Sequence, residues 1–138
     1  MASFIDAYVH ANRIATMVHY RCDDDFVFKT DEFKRLSRDI CMHIAASDPR
    51  ALDRASLPPD FVDEQMTPAR AAAQYLPPGE RLEKLNEAMG RLDGYCLLAQ
   101  PFVKNPTKTV REIIAAAELA LKAKIQMARF IRWEANDT

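Results

Sequence analysis

The chain has 138 residues, enough for one domain with a hydrophobic core and no covalent staples. Apolar residues make up 49% of it and the net charge is −1, which excludes a disordered chain and any bulk electrostatic pull toward a polyanion. Only three glycines stand against abundant Ala and Leu, a balance that favours helices.

Prolines at 49, 58, 59, 68, 77, 78, 101 and 106 mark joints between segments. Charge is uneven along the chain. Residues 1–96 carry 12 Lys/Arg against 16 Asp/Glu, a net of −4, whereas residues 97–138 carry seven against four, a net of +3. Cys22, Cys41 and Cys96 are odd in number, widely spaced and without a CxxC pair, as expected of reduced thiols. No run approaches about 18 apolar residues, and Met1 to Asp6 lacks the basic start and apolar run of a signal peptide. The expected location is the cytoplasm, with no membrane contact.

A first helix is expected from about Ser3 to Tyr20. Phe4, Tyr8, Ala11, Ala15 and Val18 recur at steps of three and four. Cys22-Asp23-Asp24-Asp25 reads as a polar turn. Thr30 caps a second helix, with Asp31 and Glu32 in its first turn and Phe33, Leu36, Ile40 and Ile44 as its buried stripe. Asp48-Pro49 ends it. Residues 47–66 read as a long connection, followed by a short helix over about 68–76 that starts at Thr67-Pro68.

The third long helix, about 79–99, carries a seam of Leu82, Leu85, Met89, Leu92, Cys96 and Ala99. Gly90 and Gly94 lie on one side of it, consistent with close approach of another backbone or with a loosened helix. A fourth helix is expected over about 107–135. Thr109 and Glu112 fit a capping box, and Val110, Ile114, Ala117, Leu121, Ala128 and Ile131 form the apolar face. The expected fold is all-α: an up-and-down four-helix bundle in a single domain over 1–138. A long proline-containing connection and a short extra helix would separate helices two and three.

On such a last helix, Lys108, Arg111, Lys122, Arg129 and Arg132 would fall near one side, with Lys104 just upstream. A row of cations binds phosphates by displacing counterions, so these six are the candidate nucleic-acid contacts. The alternative is an ordinary solvated face. The tract from His19 to Asp25 holds metal-ligating residue types without a second cluster, and capping and solvation account for its aspartates. No Glu-x-x-His, GxGxxG, GxxxxGK[ST] or GxSxG occurs, so no metal and no cofactor is expected.

The spacing of Arg38 and His43, Arg-x4-His, resembles the motif of HEPN-family ribonucleases. That resemblance implies a metal-independent RNA cleavage in which His43 handles the proton and Arg38 the developing phosphate charge. A surface arginine and a helix-end histidine are the alternative.

FVFKTDEFKRLSRDICMHIAA, Phe26 to Ala46, and the stretch Arg81 to Trp133 carry a broader resemblance. Their helix order resembles the S23-like four-helix bundle family, which includes accessory proteins of diversity-generating retroelements. The resemblance implies a non-enzymatic homo-oligomer that partners a reverse transcriptase or another nucleic-acid enzyme. It also implies binding of RNA or DNA through Lys104, Lys108, Arg111, Lys122, Arg129 and Arg132. Two readings from other classes stand beside it. One is the ribonuclease using Arg38 and His43. The other is a protein-binding adaptor or phage-encoded inhibitor acting through residues 47–78 or the acidic patch.

Overall fold

The computed structural model describes residues 1–136. In chain order its elements are β1 (Ala2–His10), β2 (Ile14–Cys22), α1 (Asp31–Ser47), α2 (Pro59–Ala73) and α3 (Pro78–Arg91). They continue as β3 (Pro101–Phe102), β4 (Asn105–Thr109), α4 (Val110–Leu121) and β5 (Ile125–Glu134). Helices are thus mixed with antiparallel sheets, a three-stranded one in the order β1-β2-β5 and a two-stranded one of β3 and β4. The all-α four-helix bundle expected from the sequence does not form. Among the described residues no helix is long and apolar enough to cross a membrane.

The chain divides into two compact units, one of Met1–Asp48 with the segment from Pro101 onward, the other of Pro49–Gln100. In the first unit the expected first helix is a β-hairpin. Ala2 pairs with Cys22 and His10 with Ile14. The Arg13 N–H donates to the His10 carbonyl at 3.0 Å, closing a turn whose inner residues Ala11 and Asn12 have φ of 52° and 58°. Positive φ at both inner positions gives the turn the twist that matches paired strands. The step from Phe4 to Tyr8 lies on one face of a helix and of a strand alike, so it does not separate the two. Thr16, Val18 and Tyr20 on β2 are residues that suit a pleated sheet, and all three are buried.

The expected last helix resolves into three elements. Its middle is helical. The Thr109 side chain accepts from the Glu112 N–H at 3.2 Å and Glu112 Oε1 accepts from the Thr109 N–H at 3.1 Å, so the capping box starts α4. The helix ends at Lys122, whose φ of 55° is left-handed. The chain then extends as β5 alongside β2.

A register shift falls where His19 pairs with Arg129 and Tyr20 with Met127, leaving Ala128 as the extra residue of a bulge. Ile125 and Met127 face inward before it, Phe130 and Arg132 after it. The opposite face of the sheet is open to solvent and carries Ile5, Val9, Met17, Ile131 and Trp133.

α1 packs on the inner face, and its observed span matches the sequence expectation. Phe33, Ile40 and Ile44 are fully buried against the sheet side that holds Val18 and Tyr20. Asp6 points inward from edge strand β1 and accepts the Ser37 hydroxyl at 2.6 Å. An inward carboxylate on an edge strand discourages pairing with a stray strand, because the intruder would have to bury it.

In the second unit α2 and α3 pack together over a core of Leu57, Met66, Ala69, Ala88, Leu92 and Cys96. α2 starts at Pro58-Pro59, with Pro59 in the first turn, and runs through Pro68. The sequence placed a helix start at Thr67-Pro68 instead. Thr67 is interior, and its hydroxyl donates to the Asp63 carbonyl at 2.7 Å.

α3 ends at Arg91, short of the expected Ala99, and the seam continues through 3-10 turns at Leu92–Tyr95 and Leu97–Ala99. Leu85, Met89, Leu92 and Cys96 of that seam join the core, whereas Leu82 is exposed. A Cβ added at Gly90 or Gly94 would meet nothing within 4 Å, so neither glycine serves a close backbone approach.

Candidate functional site

The residues between β2 and α1 form a projecting turn built on an aromatic base. Asp24 is extended, and its Oδ1 accepts the Phe26 N–H at 3.0 Å, opening a 3-10 turn over Asp25–Lys29. The sequence Asp-Phe-Val-Phe then splits by burial: Val27 and Phe28 go into the core, while Phe26 stays 66% exposed. Phe28 stacks on Phe4 at 5.2 Å between ring centroids and meets Phe33 edge-on at 5.0 Å. Phe33 in turn meets Tyr20 edge-on at 5.0 Å. Such pairs add about 0.5–1.5 kcal/mol each beyond the area they bury. The base is therefore stiff, and it holds a large aromatic ring in water beside the exposed carboxylates of Asp23, Asp24 and Asp25.

An exposed ring on a rigid turn costs little ordering entropy when a partner covers it. That is the profile of an interface anchor. Charges around it would steer the encounter rather than supply the affinity.

The six basic residues singled out from the sequence do not share a helix face. Lys104 sits in the turn between β3 and β4, its Nζ 2.7 Å from Asp39 Oδ1. Lys108 lies on β4, Arg111 in the first turn of α4 and Lys122 at its left-handed end, all three exposed. Arg129 and Arg132 lie on β5, where residues three apart point to opposite faces. Arg129 is exposed on the open face, with Nε 3.4 Å from His19 Nδ1. Arg132 is turned inward and only 13% exposed, bonded to the Ala45 carbonyl, Asp48 and Glu134.

Arg38 and His43 are separated by their environments. Arg38 lies over the Tyr8 ring at 5.8 Å. His43 is buried, accepts the Val103 N–H at its Nδ1 at 3.1 Å, and stacks on Phe102. Among the described residues no three His, Cys, Asp or Glu side chains converge as a metal site. Sequence reasoning missed Phe26 as an exposed group. The available signal was an aromatic that directly follows three aspartates and belongs to no apolar stripe.

A family model described as Elongation factor TS matches residues 1–137. Elongation factor Ts of Carboxydothermus hydrogenoformans is 37% identical over 139 aligned positions, covering 96% of this chain and 63% of that protein. Elongation factor Ts of Thermodesulfovibrio yellowstonii is 31% identical, with coverages of 97% and 68%. The protein of the same name from Heliobacterium modesticaldum is 36% identical, with coverages of 96% and 64%. The chain thus spans a little under two thirds of the length of the first of these relatives.

These matches overturn the S23-like resemblance and the function drawn from it, with its reverse-transcriptase partner and nucleic-acid ligand. The six cations form no single row, because a hairpin, a shorter helix and a bulged strand stand where one long helix is expected. The ribonuclease and phage-inhibitor alternatives fall with the same finding. A match across residues 1–137, joined by relatives sharing about a third of their residues along nearly the whole chain, shows that this chain belongs to the elongation factor Ts family.

Proposed function

We propose that this chain acts in the cytoplasm as a nucleotide exchange factor for elongation factor Tu, docking through the Asp25-Phe26 turn. Family membership supports the activity, and the exposure of Phe26 on its aromatic base carries the assignment of the contact. Exchange is a coupling between two ligands on one protein. A factor that weakens nucleotide binding must itself bind the nucleotide-free partner more tightly, by the same factor. It needs no chemistry of its own, only contacts that are better in one state of the partner. A preorganised apolar anchor meets that requirement, because its burial is gained wherever the partner opens a pocket for it.

The test is stimulated release of a fluorescent nucleotide preloaded on elongation factor Tu. The wild-type chain accelerates release in a saturable way. Phe26→Ala lowers kcat/KM by about tenfold or more, the scale of an interface anchor, and leaves folding intact. Absence of acceleration by the wild-type chain would refute the function. Unchanged kinetics in Phe26→Ala would move the contact elsewhere.

A further inference from the structure

We propose that Thr30 is a positioning residue for the docking turn. The inference rests on the reading of Phe26 as a partner contact. Thr30 stands at the junction of the 3-10 turn and α1, and its side chain acts in both directions. The hydroxyl donates to the Val27 carbonyl at 2.7 Å and accepts the Phe33 N–H at 3.2 Å. The Thr30 backbone N–H also donates to the Val27 carbonyl, at 3.1 Å. Val27 directly follows Phe26, so the carbonyl of the residue next to the exposed ring takes both Thr30 donors.

On the N-terminal side, Asp24 Oδ1 holds the Phe26 N–H. The ring is therefore bracketed by two clamps, and only the Thr30 clamp is tied to a long helix. α1 is locked by Phe33, fully buried among Phe4, Tyr20 and Phe28. The Thr30 hydroxyl passes that rigidity to the turn. Without it, the Val27 carbonyl keeps a single donor from Thr30 and the α1 N-terminus loses its cap. The turn then samples more conformations, and ordering it becomes part of the cost of docking.

A residue that merely caps α1 would lower stability without regard to Phe26. A residue that positions Phe26 would matter to exchange only while that ring is present. A double-mutant cycle on stimulated nucleotide release separates the two. Thr30→Val keeps the shape and removes the two hydrogen bonds of the hydroxyl, whereas Thr30→Ser keeps the hydroxyl. The expected result is about a tenfold fall in kcat/KM for Thr30→Val, with recovery in Thr30→Ser. In the Phe26→Ala background, Thr30→Val should cause no further loss.

Equal losses for Thr30→Val in both backgrounds would overturn the proposal and leave Thr30 a plain helix cap. Wild-type kinetics for Thr30→Val, where Phe26→Ala is impaired, would also overturn it while leaving Phe26 as the contact. Wild-type kinetics for Phe26→Ala would remove the reading beneath it. Circular dichroism at the assay temperature confirms that each variant is folded.

Discussion

Arg132 donates to the carbonyl oxygen of Ala45 from both Nε, at 3.3 Å, and Nη2, at 3.0 Å. Ala45 lies in the last turn of α1, where helix carbonyls lack partners within the helix. An arginine from β5 therefore ties strand and helix together at the point where α1 would otherwise leave an acceptor unmet. The contact also explains why a cation faces inward: Asp48 and Glu134 flank the same guanidinium at 3.4 and 2.8 Å.

Replacing this arginine should be costly. Arg132→Met keeps the apolar stem and removes the fork, so unfolding free energy should drop by about 2 kcal/mol, the worth of hydrogen bonds to a charged donor. Arg132→Lys should recover less than half of that, because an ammonium cannot reproduce two parallel donors from one planar group. Urea titration of the three proteins measures both differences.

Gly90 offers the opposite prediction. It lies within α3, its φ is not positive, and a Cβ there meets no atom within 4 Å. Gly90→Ala should raise stability by about 0.5–1 kcal/mol, since alanine restricts the unfolded chain and costs nothing in the helix. A fall in stability, read by thermal unfolding, would contradict this account of the position.

The capping box can be dissected at Thr109. Its hydroxyl fills an orphan donor of α4, and Glu112 returns the bond to the Thr109 N–H. Thr109→Ala should cost about 1 kcal/mol, and Thr109→Ser should cost clearly less. Exchange of amides in the first turn of α4, followed by hydrogen–deuterium exchange, should quicken more than exchange in β2.

Alkaline pH should destabilise the first unit. Burial, with Asp6 nearby as the second cause, pushes the Cys41 thiol from 9.0 up to about 11. Burial likewise pushes the Tyr20 phenol far above its ordinary value. Both groups hold their protons in the folded chain while the unfolded chain releases them. The Cys41 contribution is fully present below pH 9.0, the ordinary thiol value, and is lost as pH rises through about 11, whereas the Tyr20 contribution starts to fall only near pH 10.0 and continues to fall at higher pH. Urea midpoints should therefore stay level from neutral pH to about 9 and then fall, and Cys41→Ala should show a shallower decline. Under native conditions Cys41 should also resist thiol-alkylating reagents at mildly alkaline pH, because little thiolate is present.

Some of this architecture is readable from local chemistry alone. Thr30, the acids after it and the steps through Phe33, Ile40 and Ile44 define α1, because a cap and a helical stripe act within a few residues. The Thr109–Glu112 box and the halt at Pro49 are local in the same way. The three-stranded sheet is not.

Phe4 and Tyr8 satisfy either period, and only the pairing of β1 with β2 settles which one is used. In β5 the bulge at Ala128 shifts the inward positions from odd to even numbers, so the alternation that would announce a strand is broken within its own length. Its pairing partner lies more than a hundred residues earlier, with His19 opposite Arg129. The fate of the candidate site follows the same division. The sequence by itself determined that residues 23–25 are a polar turn before a capped helix. Tertiary structure decided that Phe28 turns inward onto Phe4 and Phe33 while Phe26 is left in water, because only packing between distant segments selects which aromatic has a place in the core.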